Sequence, residues 1–168
     1  MAVNFTPSPA PDDAPSGAMD DVVRQLNSLL RGEIASVETY KMAIDKVAAS
    51  DPAAAEAAGL LREVQDAHGR AAQTLRDRIL ELGGEPSDSS GAWGTWATTV
   101  QGTLSLFGGD RGALKALKEG EEHGLKDYQE AVDDVDPTTR TVIQNQLLPA
   151  QQRHVGVIDR LIGTVSDA

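Results

Sequence analysis

The chain has 168 residues, of which 4% are aromatic, carries a formal net charge of −11 and contains no cysteine. This length supports one domain with a real core, and a composition dominated by Ala, Leu, Glu, Gln, Asp and Val favours helix over sheet, so the core has to be aliphatic. The charge argues against a duplex nucleic-acid partner and an anionic membrane surface, both of which need basic patches, and the missing thiols exclude disulfides and cysteine-held iron–sulfur clusters.

Residues 1–19 hold four of the eight prolines and read as a disordered N-terminal tail, a solubilising leader. Asp20-Asp21 then caps a first helix over about 20–50. Asp51-Pro52 supplies N-cap and first residue of a second helix over 52–82, which Gly83-Gly84 stops. A connection over 83–109 is too long for a tight turn, and its segment from Trp93 to Phe107 has room for a short helix. Its Trp93 and Trp96 are expected to cover the bundle. Asp110 caps a third helix over 110–135, and Asp136-Pro137 starts a fourth over 137–165. Two helical hairpins joined by one long crossover make a four-helix bundle. No apolar run approaches the roughly 18 residues of a membrane span, and the N-terminus lacks the basic and apolar regions of a signal peptide, so a cytoplasmic location is expected.

GEIASVETY at 32–40 returns as GEEHGLKDY at 120–128, once in the first helix of each hairpin, which marks an internal duplication. Steps of three and four along the first helix give Val22, Leu26, Leu29, Glu33, Val37, Tyr40 and Ile44; along the third they give Leu114, Leu117, Glu121, Leu125, Tyr128 and Val132. Each Glu therefore lies on the core face. The second and fourth helices carry Gln-x-x-His on their apolar stripes, Gln65 with His68 and Gln151 with His154. Residues three apart on a helix can approach one point. Counted from the bend of the first hairpin at about 1.5 Å per residue, Glu33 and His68 both lie about 25 Å away. Glu121 and Gln151 are matched in the same way in the second. Unpartnered buried carboxylates are costly, so these groups must satisfy one another or bind something. Pro149 removes the bond to the Asn145 carbonyl and predicts a kink just before Gln151. His123, Glu119, Glu122, Glu38, Glu63 and Asp66 fall on solvated faces.

A Glu in the first and third helices, x-x-His in the second and fourth, and a Tyr seven after each Glu resemble the ferritin-like superfamily over about residues 20–165. Within it the chain is most similar to a bacterial family of ferritin-like bundles known as a domain of unknown function, through Gly-Glu…Tyr in both odd helices, LGGEP after the second helix and a tryptophan-containing crossover ending in GGD. The resemblance implies a di-iron or di-manganese type of centre, with Glu33 and Glu121 as terminal carboxylates and His68 and His154 as imidazole ligands. The superfamily's bridging Glu positions are Gln65 and Gln151 here. Two divalent ions bring four positive charges. Two carboxylates leave half of that uncompensated in a low-dielectric core, and a neutral amide is a poor bridge.

The expectation is thus an all-α, ferritin-like four-helix bundle with a degenerate di-metal-type centre. It would bind iron or manganese weakly or at one site through Glu33, His68, Glu121, His154, Gln65 and Gln151, with Tyr40 and Tyr128 supporting the ligands. Oxidoreductase chemistry on iron or peroxide is expected only if a di-metal site forms. The alternative is a metal-free structural or interaction bundle, stress-associated, as a homodimer or higher homo-oligomer, in which two carboxylates pair with two protonated histidines.

Overall fold

Apolar residues recurring every three or four positions leave each helix with one stripe to bury, and the elements pack accordingly. They are α1 (Ala14–Ser50), α2 (Ala55–Glu81), α3 (Asp110–Ala131), α4 (Pro137–Val142), a π-helical turn (Ile143–Leu147) and α5 (Leu148–Thr164). From Pro137 to Thr164 the helical run is unbroken, so α4, the π turn and α5 form the fourth rod of an all-α bundle. The computed structural model of the protein describes residues 14–50, 55–91 and 110–164, with side chains at 17–45, 55–91 and 111–164. The Asp51-Pro52 start, the crossover tryptophans and the first thirteen residues lie outside the described residues. Among the described residues no helix is long and apolar enough to cross a membrane.

Helix boundaries follow local chemistry. α1 begins at Ala14, six residues before the expected cap, so Ala14–Met19 belong to the helix and not to the tail. Pro15 sits in its first turn, where a missing N–H costs nothing, and Asp21 instead pairs with Arg24 one turn on. α2 ends in a Schellman turn: the Gly83 N–H donates to Leu80 O (2.9 Å) and the Gly84 N–H to Ile79 O (2.9 Å). Gly83 takes φ +75°, and a Cβ on Gly84 would lie 2.6 Å from Val23 Cγ1, so the first glycine allows the reversal and the second the approach to α1. α3 stops at Ala131, four residues short of the expected end. There Arg140 takes the freed carbonyls, its Nε donating to Val132 O (2.8 Å) and Nη2 to Asp133 O (3.4 Å). Asp136 caps α4 from an extended backbone, accepting from the N–H groups of Thr138 and Thr139.

The π turn lies just ahead of Pro149. Leu148 N–H bonds Ile143 O, five residues back. A proline ring collides with the carbonyl four residues before it in a regular helix, and the wider turn relieves that contact. The kink expected from Pro149 takes this form.

α1 and α3 run antiparallel, since Glu33 meets Tyr128 and Tyr40 meets Glu121. The interior is layered. One apolar cluster contains Leu26, Leu30, Leu75, Ile79, Val135, Ile143 and Leu147; a second contains Ile44, Leu61, Val64, Leu114, Leu117, Ile158 and Leu161. Burying each such side chain contributes about 1.5–3 kcal/mol. Tyr128 belongs to the first cluster and Tyr40 to the second, and their hydroxyls meet the polar layer in between.

Candidate metal centre

The polar layer is made by two turns each of α1 and α3 and one turn of each of the other two rods. α1 supplies Glu33 and Tyr40, α2 supplies His68, α3 supplies Glu121 and Tyr128, and α5 supplies Gln151 and His154. All seven are buried. The duplicated Gly-Glu…Tyr stretch is used crosswise: Tyr40 Oη donates to Glu121 Oε1 (2.6 Å), and Tyr128 Oη donates to Glu33 Oε1 (2.5 Å). Two helical turns separate Glu and Tyr within a repeat, too far for a mutual bond. Antiparallel packing of the two repeats brings each phenol to the other repeat's carboxylate.

His68 lies between the carboxylates. Its Nδ1 is 2.7 Å from Glu33 Oε2 and its Nε2 is 2.9 Å from Glu121 Oε1. Both ring nitrogens face acceptors, which only an imidazolium satisfies. Burial by itself would lower the pKa of His68, but the charges of Glu33 and Glu121 and the bonds to them outweigh it and raise it to about 10. Burial likewise would raise Glu121; the charge of His68, the adjacent His154 and the bonds from His68 and Tyr40 prevail and bring it down to about 2. Burial, with Glu121 and Glu33 next to them, pushes the Tyr40 and Tyr128 hydroxyls well above 10, so both phenols stay protonated donors.

Gln151 donates its amide to Glu121 Oε2 (2.6 Å) and to Glu121 O (3.0 Å). Gly124 makes room for it, since a Cβ there would lie 2.9 Å from Gln151 Nε2. His154 behaves differently. Its ring centroid is 4.7 Å from that of His68, and its Nδ1 is 3.5 Å from Glu121 Oε2, too long for a hydrogen bond. That buried Nδ1 has no hydrogen-bond partner. Donor atoms of His68, Glu121 and His154 all lie within 4.8 Å of one another.

Five of the six residues read from the sequence as candidate ligands therefore meet in one layer. Gln65 does not join them. It is half-buried, and its amide donates to the backbone carbonyl of Val37 on α1 (3.0 Å). The two repeats are thus inequivalent: Gln151 reaches the carboxylate of its hairpin partner, whereas Gln65 meets backbone one turn beyond Glu33. Of the surface readings, His123 is exposed and lies 3.6 Å from Asp127, and Glu122 is exposed beside Lys118 (3.5 Å). Glu38 is exposed and accepts from Ser90 Oγ (3.0 Å). Gly124 was not singled out in the sequence. Its signal is a glycine inside a helix, one turn after the core Glu, where the missing Cβ leaves room for a close approach at a cost in helix propensity.

A di-metal centre does not fit this donor set. Both bridging positions are amides, Gln65 is turned to backbone, and Gln151 presents its N–H₂ side, which cannot ligate. A single ion fits better. The two imidazoles of His68 and His154 and the carboxylate of Glu121 suit a divalent transition metal, and the His154 Nδ1 among them has no hydrogen bond to give up.

A comparison with protein families matches residues 21–134 to the family described as Domain of unknown function (DUF2383). The chain belongs to that family. Among solved structures, the DUF2383 chain is similar to the crystal structure of ferritin-like, diiron-carboxylate proteins from Bacillus anthracis str. Ames, with a TM-score of 0.69, 17% identity, and coverage of 86% of this chain and 97% of that one. At that identity the likeness establishes the fold, and the DUF2383 bundle is ferritin-like. A comparison with curated proteins finds no match.

Proposed function

We propose that this DUF2383 protein binds one divalent transition-metal ion, iron or manganese, weakly, through His68, Glu121 and His154. The observation that carries the reading is the buried His154 Nδ1, left without a hydrogen bond next to Glu121 and His68. An unpaired buried nitrogen costs about 1–3 kcal/mol, and ligation removes that cost. To ligate, His68 gives up the proton at Nε2 while Glu33 holds the one at Nδ1, which orients the ring. Tyr40 and Gln151 hold the Glu121 carboxylate in place. A bound ion of this kind supplies Lewis acidity and, for iron or manganese, one-electron redox capacity.

Metal analysis of the full chain after anaerobic loading with Fe(II), Mn(II) or Zn(II) tests the reading. Wild type is expected to retain a single ion with a raised melting temperature, and His154→Leu, which keeps the volume, to retain none. Equal retention by the two proteins would reject it. A second reading is favoured by the bonding of His68 at both nitrogens: a metal-free core in which one proton takes the place of the cation. Absence of uptake by wild type, with stability governed by the His68 proton, would favour that reading.

A further inference from the structure

The sequence twice places a glycine immediately before the core glutamate, Gly32-Glu33 and Gly120-Glu121. Neither glycine is needed for backbone conformation, because positive φ among the described glycines occurs only at Gly83 and Gly91. Inside a helix each costs about 1 kcal/mol relative to Ala. Both line one feature, a cleft of about 60 Å³ between α1 and α3. Its lining combines small residues, Gly32, Ser36 and Gly120 among them, with Leu29, Leu117 and His123, and it reaches the buried Glu33, His68 and Glu121. A Cβ added at Gly32 would meet nothing within 4 Å, so the space beside it is open. Gly124 differs in this respect, being packed against Gln151.

We propose that this α1–α3 cleft is the passage by which a divalent cation reaches Glu121 and His68, and that the paired glycines keep it open. The inference rests on the metal-binding reading above. The cleft accommodates several waters but not a wide aqueous channel, so a cation enters with part of its hydration shell removed. Carboxylates mark the way: half-buried Asp127 lines the cleft and Glu33 and Glu121 end it. Beyond Glu121 waits the unpartnered Nδ1 of His154. Along the bundle axis the polar layer is bounded on either side by the two apolar clusters.

Cobalt(II) alone is the probe, its visible d–d absorption followed by stopped-flow mixing with the full-length chain. Gly32→Leu and Ser36→Leu each place an aliphatic side chain in the cleft, from positions that bind nothing themselves. Gly163→Leu is the control, an exposed glycine on α5 with nothing within 4 Å. Both cleft variants are expected to reach the wild-type absorption at equilibrium while associating about tenfold more slowly, as for binding that must await an opening motion. The control is expected to match wild type in both. If the cleft variants associate at the wild-type rate, or the control slows equally, the passage is overturned while the metal reading stands. If wild type gives no d–d band at all, the metal reading itself fails, and the passage with it. Having two variants on different turns of α1 guards against one that does not fold.

Discussion

An imidazole bonded by carboxylates at both nitrogens ties the charge of one residue to the stability of the chain. His68, held at about 10 against an ordinary 6.5, contributes stability that is whole below pH 6.5 and is lost as pH rises towards 10. Glu121, held at about 2 against an ordinary 4.5, contributes above pH 4.5 and loses its contribution as pH falls towards 2. The two shifts describe one shared interaction, so they are not added. The urea midpoint of the metal-free chain is expected to be flat between pH 4.5 and 6.5 and to fall on both sides. On the alkaline side the loss is at most about 1.4 kcal/mol per pH unit. His68→Gln should flatten the alkaline limb, and an unchanged limb would assign it to another group. Single deletions should rank by what they leave behind. Tyr128→Phe removes one donor from Glu33 and is expected to cost about 1.5–3 kcal/mol, as for a hydrogen bond to a charged group. His68→Ala leaves two buried carboxylates without their cation and is expected to cost about 3–5 kcal/mol. Thermal denaturation at neutral pH distinguishes the two, and the reverse order would show that the imidazolium is not the centre of the network.

Elements matter here through how close they come. α3 approaches α5 at Gly124, where a Cβ would lie 2.9 Å from the Gln151 amide. Glycine to alanine in an exposed helix interior ordinarily stabilises by about 0.5–1 kcal/mol. Gly69→Ala on α2, exposed and with open space around it, is expected to show that gain in a urea titration. Gly124→Ala is expected to destabilise, because Gln151 must move away from Glu121 and both of its bonds there are lost. A gain at Gly124 equal to that at Gly69 would mean that the amide relaxes freely. The π turn has a related role. It lies directly before the segment that presents Gln151 and His154, so the backbone irregularity around Pro149 is next to the turn of the fourth rod that carries these polar groups inward.

On the scale of the whole molecule, the polar layer lies between two buried apolar clusters, whose burial offsets the cost of enclosing its charges. Leu26, Leu30, Leu61, Ile79, Ile143 and Ile158 are fully buried around it. A net charge of −11 on this small body adds long-range self-repulsion, which salt screens with a Debye length of about 10 Å at 0.1 M. Surface pairs such as Lys41–Asp45 and Lys126–Glu130 weaken at the same time, but such exposed pairs contribute little. Stability measured by urea is therefore expected to rise modestly with sodium chloride concentration. A fall would show that the surface pairs outweigh the repulsion.

Much of this was determined by the sequence alone. Alternation of apolar and polar residues at helical spacing dictates which face of each helix turns inward, and Glu33, His68, Glu121, Gln151 and His154 interrupt those faces at matched depth. The Asp136-Pro137 start and the Gly83-Gly84 stop are equally local, each resting on a cap that involves a few neighbouring residues. The end of α3 was not legible in this way: the helix stops at Ala131, and Arg140, nine residues on, bonds the Val132 and Asp133 carbonyls that follow it. Nor did spacing distinguish the two glutamines, which occupy equivalent places in the two repeats. Tertiary packing turned Gln151 to a carboxylate and Gln65 to a backbone carbonyl, and it gave His68 both glutamates while leaving a nitrogen of His154 unpaired. The physical reason is that periodicity fixes only direction from a helix axis, whereas a hydrogen bond is decided by tenths of an ångström between helices that only the folded bundle brings together.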